Sequence, residues 1–203
     1  MENKTYVLVM PEVKHRSAAL DYITEFINAG DDIDGLGKDL GPGADIIESY
    51  DAYGEWLYWL YGEGEDHNCE KNKGGNRKGS FTFFFIEEQS GRIIGTVNLR
   101  TTGKLADEFG NLGYAVRPSF RGKGYGTMMV ESALTMCGFM GMDRVTAVCH
   151  DENAAGLRLL EKCGFSRIDF LWKVSLPGES RDDGEHSKHF KSSIWFERII
   201  NND

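Results

Sequence analysis

Arg121-Gly122-Lys123-Gly124-Tyr125-Gly126-Thr127 sets three glycines at alternate positions of a basic turn, immediately ahead of a long apolar run. Upstream, Asn111-Leu112-Gly113-Tyr114-Ala115-Val116 has the composition of a short buried strand, closed by Arg117-Pro118. Downstream, the span 127–142 carries Met128, Met129, Val130, Ala133, Leu134, Met136, Cys137 and Met140, dense enough for a helix largely covered by protein. Strand, glycine turn and helix in that order form a cradle for an anion. Main-chain N–H groups of the turn and the helix start lack partners, and the helix dipole adds roughly half a positive charge there.

The 203 residues are read as one domain spanning 1–203, large enough to build a core without disulfides or a structural metal. A formal net charge of -9 speaks against nucleic acid and against an anionic membrane surface, because the mean field of the chain repels both. No apolar run reaches the ~18 residues of a spanning helix, and Met1-Glu2-Asn3-Lys4-Thr5 leads straight into a strand-like run, so a cytoplasmic protein is expected. Cys69, Cys137, Cys149 and Cys163 lack CxxC spacing, and the last three fall on apolar faces. Buried, reduced thiols are expected, and His67 with Cys69 falls short of a metal ligand set.

In chain order, Tyr6 to Met10 reads as a strand stopped by Pro11, and Ser17 as the cap of a helix with Leu20, Ile23 and Ile27 on one stripe, ended by Gly30. The span 31–43 reads as a loop, and 51–61 as a helix with Tyr53, Trp56, Leu57 and Leu60 on one face. Tyr58 and Trp59 lie off that face, either in an aromatic core or lining a pocket. The polar segment 62–80 is expected to be a mobile loop. Phe81 to Ile86 and Arg92 to Arg100 form a hairpin whose Phe83-Phe84-Phe85 run implies cover on both faces, and 101–110 is expected to be a loop. A strand Val145 to Cys149 ends at His150. A short helix capped by Asp151 or Asn153 closes at Gly164, and strands near 165–174 and 192–199 make a C-terminal hairpin.

Two nucleotide-loop patterns fail at the glycine turn. A Walker loop needs GxxxxGK followed by Ser or Thr, whereas Lys123 precedes Gly124; a dinucleotide GxGxxG counted from Gly122 would end on Thr127. What remains is RxxGxG, Arg121 to Gly126. With Asn153 about thirty residues on and Glu161-Lys162-Cys163-Gly164-Phe165 closing the next helix, it resembles the Gcn5-related N-acetyltransferase (GNAT) superfamily over residues 92 to 170. The resemblance implies an α/β (α+β) fold: a mixed, mostly antiparallel central sheet flanked by helices and splayed at an acetyl-CoA site, between strands near 112–116 and 145–149. It implies that main-chain N–H groups of Arg121, Gly122, Lys123, Gly124, Tyr125, Gly126 and Thr127 hold the pyrophosphate. Val116 and its neighbours would hold the pantetheine arm, with Asn153 across from them. Asn153 is read as both capping the helix and touching the arm, in preference to a plain cap, and Arg121 and Lys123 as pairing with phosphate, in preference to solvated surface charges. A side chain at Gly124 is expected to abolish cofactor binding.

The implied activity is an N-acetyltransferase that moves an acetyl group from acetyl-CoA, with no metal, to a primary amine of a small molecule, peptide or protein by direct attack. A lysine-like amine is neutral about once in a few thousand molecules at pH 7, a cost of roughly 4–5 kcal/mol, so a base matters. His150, Glu108 and Asp107 are the candidates for it. Many family members carry a Tyr in the last helix as the acid for the leaving thiolate, and Leu160 stands there here, leaving Tyr114 or water as substitutes. That departure keeps a second class open, an acyl-CoA-binding sensor without transferase activity. Asp31, Asp32, Asp34, Asp45, Glu48, Asp51 and Glu55 crowd the side where the family receives its acceptor, reading either as a solvated face or as a site for a cationic amine. A homodimer would form through the C-terminal strands or the strand at Phe81.

Overall fold

The computed structural model of the chain describes residues 4–31, 50–61, 79–102, 104–168 and 193–200. Seven strands form one sheet: β1 (Tyr6–Val9), β2 (Ser80–Glu87), β3 (Arg92–Arg100), β4 (Leu112–Val116), β5 (Arg144–His150), β6 (Ser166–Ile168) and β7 (Ser193–Ile199). Their order is β1-β2-β3-β4-β5-β7-β6. Every neighbouring pair is antiparallel except β4 and β5, which run parallel. Among the described residues five α-helices accompany the sheet: α1 (Arg16–Ala29), α2 (Tyr50–Tyr61), α3 (Lys104–Phe109), α4 (Tyr125–Phe139) and α5 (Ala154–Lys162). This is the mixed, mostly antiparallel α/β architecture expected from the motif order.

Two apolar layers follow from the period-2 alternation of the strands. On one face Phe83, Phe85, Val97, Leu99 and Leu112 pack with Met129, Val130 and Ala133 of α4 and Leu160 of α5. On the other, Phe84, Ile86 and Ile93 pack with Tyr22 and Phe26 of α1 and Tyr53 and Trp56 of α2. The Phe83-Phe84-Phe85 run is therefore covered on both sides, as its composition requires. Between helices, Gly126 lets α5 close onto the first turn of α4, since a Cβ there would collide with Leu159.

Several boundaries differ from the sequence reading. Ser17 lies inside α1, not at its cap. A short 3-10 turn, Val13–His15, with a reciprocal capping pair between Glu12 and His15, runs directly into the helix, and His15 takes the cap position. The buried stripe of α1 is Ala19, Tyr22, Ile23 and Phe26, while Ile27 is exposed; aromatic side chains fill the space over the sheet that the aliphatic stripe was expected to fill. Part of 101–110, expected as a loop, is α3, a stretch free of Gly and Pro. The glycine-turn helix starts two residues earlier than expected, at Tyr125. β6 and β7 do pair antiparallel, but β7 lies between β5 and β6. The expected loops at 32–43 and 62–78, Cys69, and 169–192 lie outside the described residues. Cys137, Cys149 and Cys163 are buried free thiols. No described helix is long and apolar enough to cross a membrane, and no described group of His, Cys, Asp and Glu has the makings of a metal site.

Candidate active site

The parallel pair is where the sheet opens. β4 and β5 share a single ladder position, Leu112↔Ala147, preceded by an isolated bridge between Gly110 and Ala147. Arg100 N donates to Asn111 O and Arg117 N to Ile94 O, so odd-numbered residues of β4 direct their main chain to β3. The main-chain groups of Tyr114 and Val116 consequently point to the β5 side, along an edge that β5 no longer pairs.

That edge leads to the glycine turn. After a 3-10 turn, Pro118–Phe120, Arg121 is extended, Gly122 has φ 71° and Gly124 has φ 89°. Gly124 is the N-cap of α4, and no side chain caps the helix, so the N–H groups of its first turn are directed out of its end. A Cβ at Gly124 meets no described atom within 4 Å. What demands glycine is the left-handed backbone, rather than protein crowding.

The side chains of the turn serve its shape. Arg121 Nε donates to Val116 O at 3.0 Å, its Nη1 binds Asp31 Oδ2 at 2.5 Å, and its guanidinium lies 5.4 Å from the Phe26 ring centre. Lys123 Nζ donates to Ser119 O at 2.7 Å and covers the Phe120 ring. Tyr125 turns towards β1, its hydroxyl 3.2 Å from that of Tyr6 and its ring edge-on to Phe120. The Tyr125 hydrogen bond, then burial, push the Tyr6 hydroxyl up to about 12. Thr127 is half-buried in the first turn of α4.

Across the opening, Asn153 caps α5, its Oδ1 accepting from Gly156 N at 2.9 Å. The helix-cap reading is thus realised. His150 ends β5 in an exposed turn, where its Nδ1 accepts from Glu152 N at 3.4 Å and lies 3.3 Å from Asp151 Oδ1. Asp107 is exposed on α3, and the side chain of Glu108 lies outside the described residues. Tyr114 is half-buried against the α4 and α5 layer. Leu160 is 1% exposed in that same core, so its position faces the packed interior.

Two networks escaped the sequence reading. Arg117, buried, donates from Nη2 to Asp21 at 2.7 Å and from Nε to Glu25 at 2.5 Å, while Ser119 N donates to Glu25 at 2.6 Å. Burial opposes ionisation of Glu25, but these hydrogen bonds outweigh it and hold the carboxyl below its ordinary range. This network ties α1 to the start of the turn. The second lies at the foot of the opening. Asn111 Oδ1 accepts from Thr146 N at 2.9 Å and from Thr146 Oγ1 at 2.8 Å, Asn111 N donates to Thr146 Oγ1 at 3.1 Å, and Asn111 Nδ2 donates to Arg100 O at 2.8 Å. The adjacency of Arg117 to Pro118 and of Asn111 to the strand was visible, but their partners lie 92, 96 and 35 residues away.

A parted parallel strand pair beside an uncapped helix start behind left-handed glycines is an α/β arrangement suited to an extended, phosphate-bearing ligand laid along the strand edge. Comparison with known proteins specifies the family. The family model described as an acetyltransferase (GNAT) domain matches residues 47–166, more than half of the chain. The chain belongs to the GNAT acetyltransferase family, whose members are acyltransferases. It is similar to mycothiol acetyltransferase of Acidothermus cellulolyticus, 29% identical over 101 residues, which are 50% of this chain and 29% of that protein. The chain thus spans less than a third of the length of this curated relative. Among solved structures, ribosomal-protein-S5-alanine acetyltransferase from Vibrio fischeri shares the fold with a TM-score of 0.61 and 16% identity, covering 100% of this chain and 97% of its own. The microcin C7 self-immunity acetyltransferase MccE, in complex with acetyl-CoA and AMP, gives a TM-score of 0.58 and 18% identity, covering 98% and 94%.

Proposed function

We propose that this protein transfers an acetyl group from acetyl-CoA to a primary amine. The observation that carries the reading is the parting of β4 from β5 beyond Leu112↔Ala147, beside the start of α4, which no side chain caps. The residues present fit the donor. Left-handed Gly122 and Gly124 leave open space where side chains would stand, and the first-turn N–H groups with the helix dipole suit a pyrophosphate. Main-chain groups from Arg121 to Thr127 would hold it, Tyr114 and Val116 the arm, and Asn153 the opposite wall. When bound, acetyl-CoA supplies an acetyl group activated as a thioester.

The chain's own residues must then accept a proton from the incoming amine. Asp107 and Glu108, on α3 ahead of β4, and His150, at the end of β5, are proposed for that role, directly or through water. Tyr114 or water would serve the departing thiolate, since Leu160 is committed to the core. The acceptor would approach over the α1 and α2 face, and the acidic composition of the segment 31–55 favours a cationic amine. A cytoplasmic location and a homodimer remain part of the proposal.

Calorimetry with CoA and acetyl-CoA, followed by thiol release over a panel of amines, tests the reading. Binding with release for at least one amine class is expected. Binding without release over every amine would transfer the assignment to an acyl-CoA sensor, the reading that the buried Leu160 favours. Absence of binding would overturn both.

A further inference from the structure

The foot of the β4–β5 opening is closed by side chains where a regular ladder would continue. Asn111 joins three strands: its main-chain O accepts from Arg100 N of β3, its amide Nδ2 donates to Arg100 O, and its Oδ1 takes both the N–H and the hydroxyl of Thr146 on β5. Thr146 Oγ1 accepts from Asn111 N in return, so the hydroxyl has one donor and one acceptor role filled. Both residues sit directly below Leu112↔Ala147, the last position at which the strands pair. One face of this closure is further fixed by Arg100, whose guanidinium lies against Gly113 and donates to Gly110 O at 3.1 Å. The other face is the packed layer around Leu112.

The depth of the opening follows from strand geometry. From Val116 to Leu112 are four residues, about 13 Å at the usual rise. A ligand whose phosphates sit at the start of α4 would enter beyond Val116 and run back along β4, with this length of strand edge before it meets the closure at Leu112. Beyond that point, each additional methylene would have to part Asn111 from Thr146.

We propose that the Asn111–Thr146 pair is the stop that limits the acyl group to about the size of acetyl, and so determines which thioester the protein uses. The inference rests on the acyl-CoA reading of the cleft. Thr146 is buried and Asn111 half-buried, and side chains that satisfy each other there resist separation more than an apolar contact does, because parting them breaks their mutual hydrogen bonds. A cleft that ends on such a pair is closed more firmly than one that ends on aliphatic side chains.

The test compares dissociation constants for CoA, acetyl-CoA and butyryl-CoA by calorimetry in the wild type, Thr146→Val and Thr146→Ser. Valine keeps the volume and removes the hydroxyl, and serine keeps the hydroxyl. The wild type and Thr146→Ser should bind butyryl-CoA at least about tenfold more weakly than acetyl-CoA, the size of penalty expected for unaccommodated methylenes. In Thr146→Val the ratio should fall to about threefold or less, while affinity for CoA itself, which carries no acyl group, stays within about threefold of the wild type. Amide exchange at 146 and 147 should accelerate in the valine variant alone. If Thr146→Val does not fold, Asn111→Ser takes its place with the same expected ratio. A folded variant with an unchanged butyryl-to-acetyl ratio would overturn this inference alone. A wild type that binds none of the three ligands would overturn the reading of the cleft and the inference with it.

Discussion

Glu25 offers a sharp test of how α1 is joined to the glycine turn. Its carboxylate accepts from Ser119 N at 2.6 Å and Arg117 Nε at 2.5 Å. The side chains of Arg117 and Glu25 are 7% and 25% exposed, so the pair is sheltered on the guanidinium side. Glu25→Gln preserves shape and one acceptor oxygen but places an NH₂ against one of two N–H donors. A hydrogen bond to a charged group is worth about 1.5–3 kcal/mol, and partial exposure of Glu25 favours the lower part of that range. The expected loss is roughly 2 kcal/mol at pH 7, which lowers the urea midpoint by about 1 M at a typical slope. Because the folded state holds the Glu25 carboxyl below its ordinary value, its contribution is complete above the unfolded pKa, near 4.3, and is lost as the pH falls through the folded value. The stability gap between wild type and Glu25→Gln should therefore be full at pH 6–7 and close towards pH 3. Exposed Glu88→Gln should stay within about 0.5 kcal/mol throughout. Equal stabilities at pH 7, or a gap of unchanged size from pH 7 down to pH 3, would refute the reasoning.

Gly124→Ala forces a Cβ into φ 89° and should cost about 1–2 kcal/mol or displace the turn, weakening CoA binding at least tenfold; Gly141→Ala, at φ 73° in open space, should share the stability loss and leave CoA binding unchanged by calorimetry. Gly126→Val should weaken CoA binding by driving α5 from α4 through Leu159, and relief by Leu159→Ala in the double variant would mark the collision as the cause. Burial pushes the Cys137 thiol up to about 11, so a thiol reagent at pH 8 should label it only after denaturant unfolds the protein, as followed by mass spectrometry. Asp31→Asn should loosen Arg121 from α1 with under about 1 kcal/mol lost in urea, since the pair is exposed.

The glycine turn, the hairpin and the cap at Asn153 were legible because each depends on neighbours within a few residues: left-handed backbone at Gly122 and Gly124, alternation along Phe81 to Ile86, and an Asn three positions before Gly156. The parting of β4 from β5 was legible only through family resemblance, since composition alone does not say where two strands 35 residues apart cease to pair. Ser17 misled because a Ser ahead of an apolar stripe suits a cap, whereas the reciprocal pair of Glu12 and His15, five and two residues earlier, already starts the helical run. The Arg117 and Asn111 networks were illegible for a different reason. Each joins side chains from elements far apart in sequence, and nothing local distinguishes an Arg bound for a buried pair from one bound for water.

The placement of Arg121 revises what the basic character of the turn accomplishes. Read as sequence, Arg121 and Lys123 beside three glycines look like direct partners for phosphate. In the fold, Arg121 spans Val116, Asp31 and Phe26, and Lys123 is folded back on Ser119 and Phe120, so both tether the turn to its surroundings. On the proposed reading, recognition of a pyrophosphate would fall to the first-turn N–H groups of α4 and its dipole, whose strength is fixed by the backbone and cannot be displaced by rotation of a long side chain. Such a site tolerates the formal charge of -9 carried by the chain, because the attraction is local and short-ranged. It also places the specificity of the turn in its shape. The anchoring by Arg117 and Glu25 on one side and by Tyr6, Phe120 and Tyr125 on the other keeps Gly122 and Gly124 in the left-handed region where the N–H groups converge.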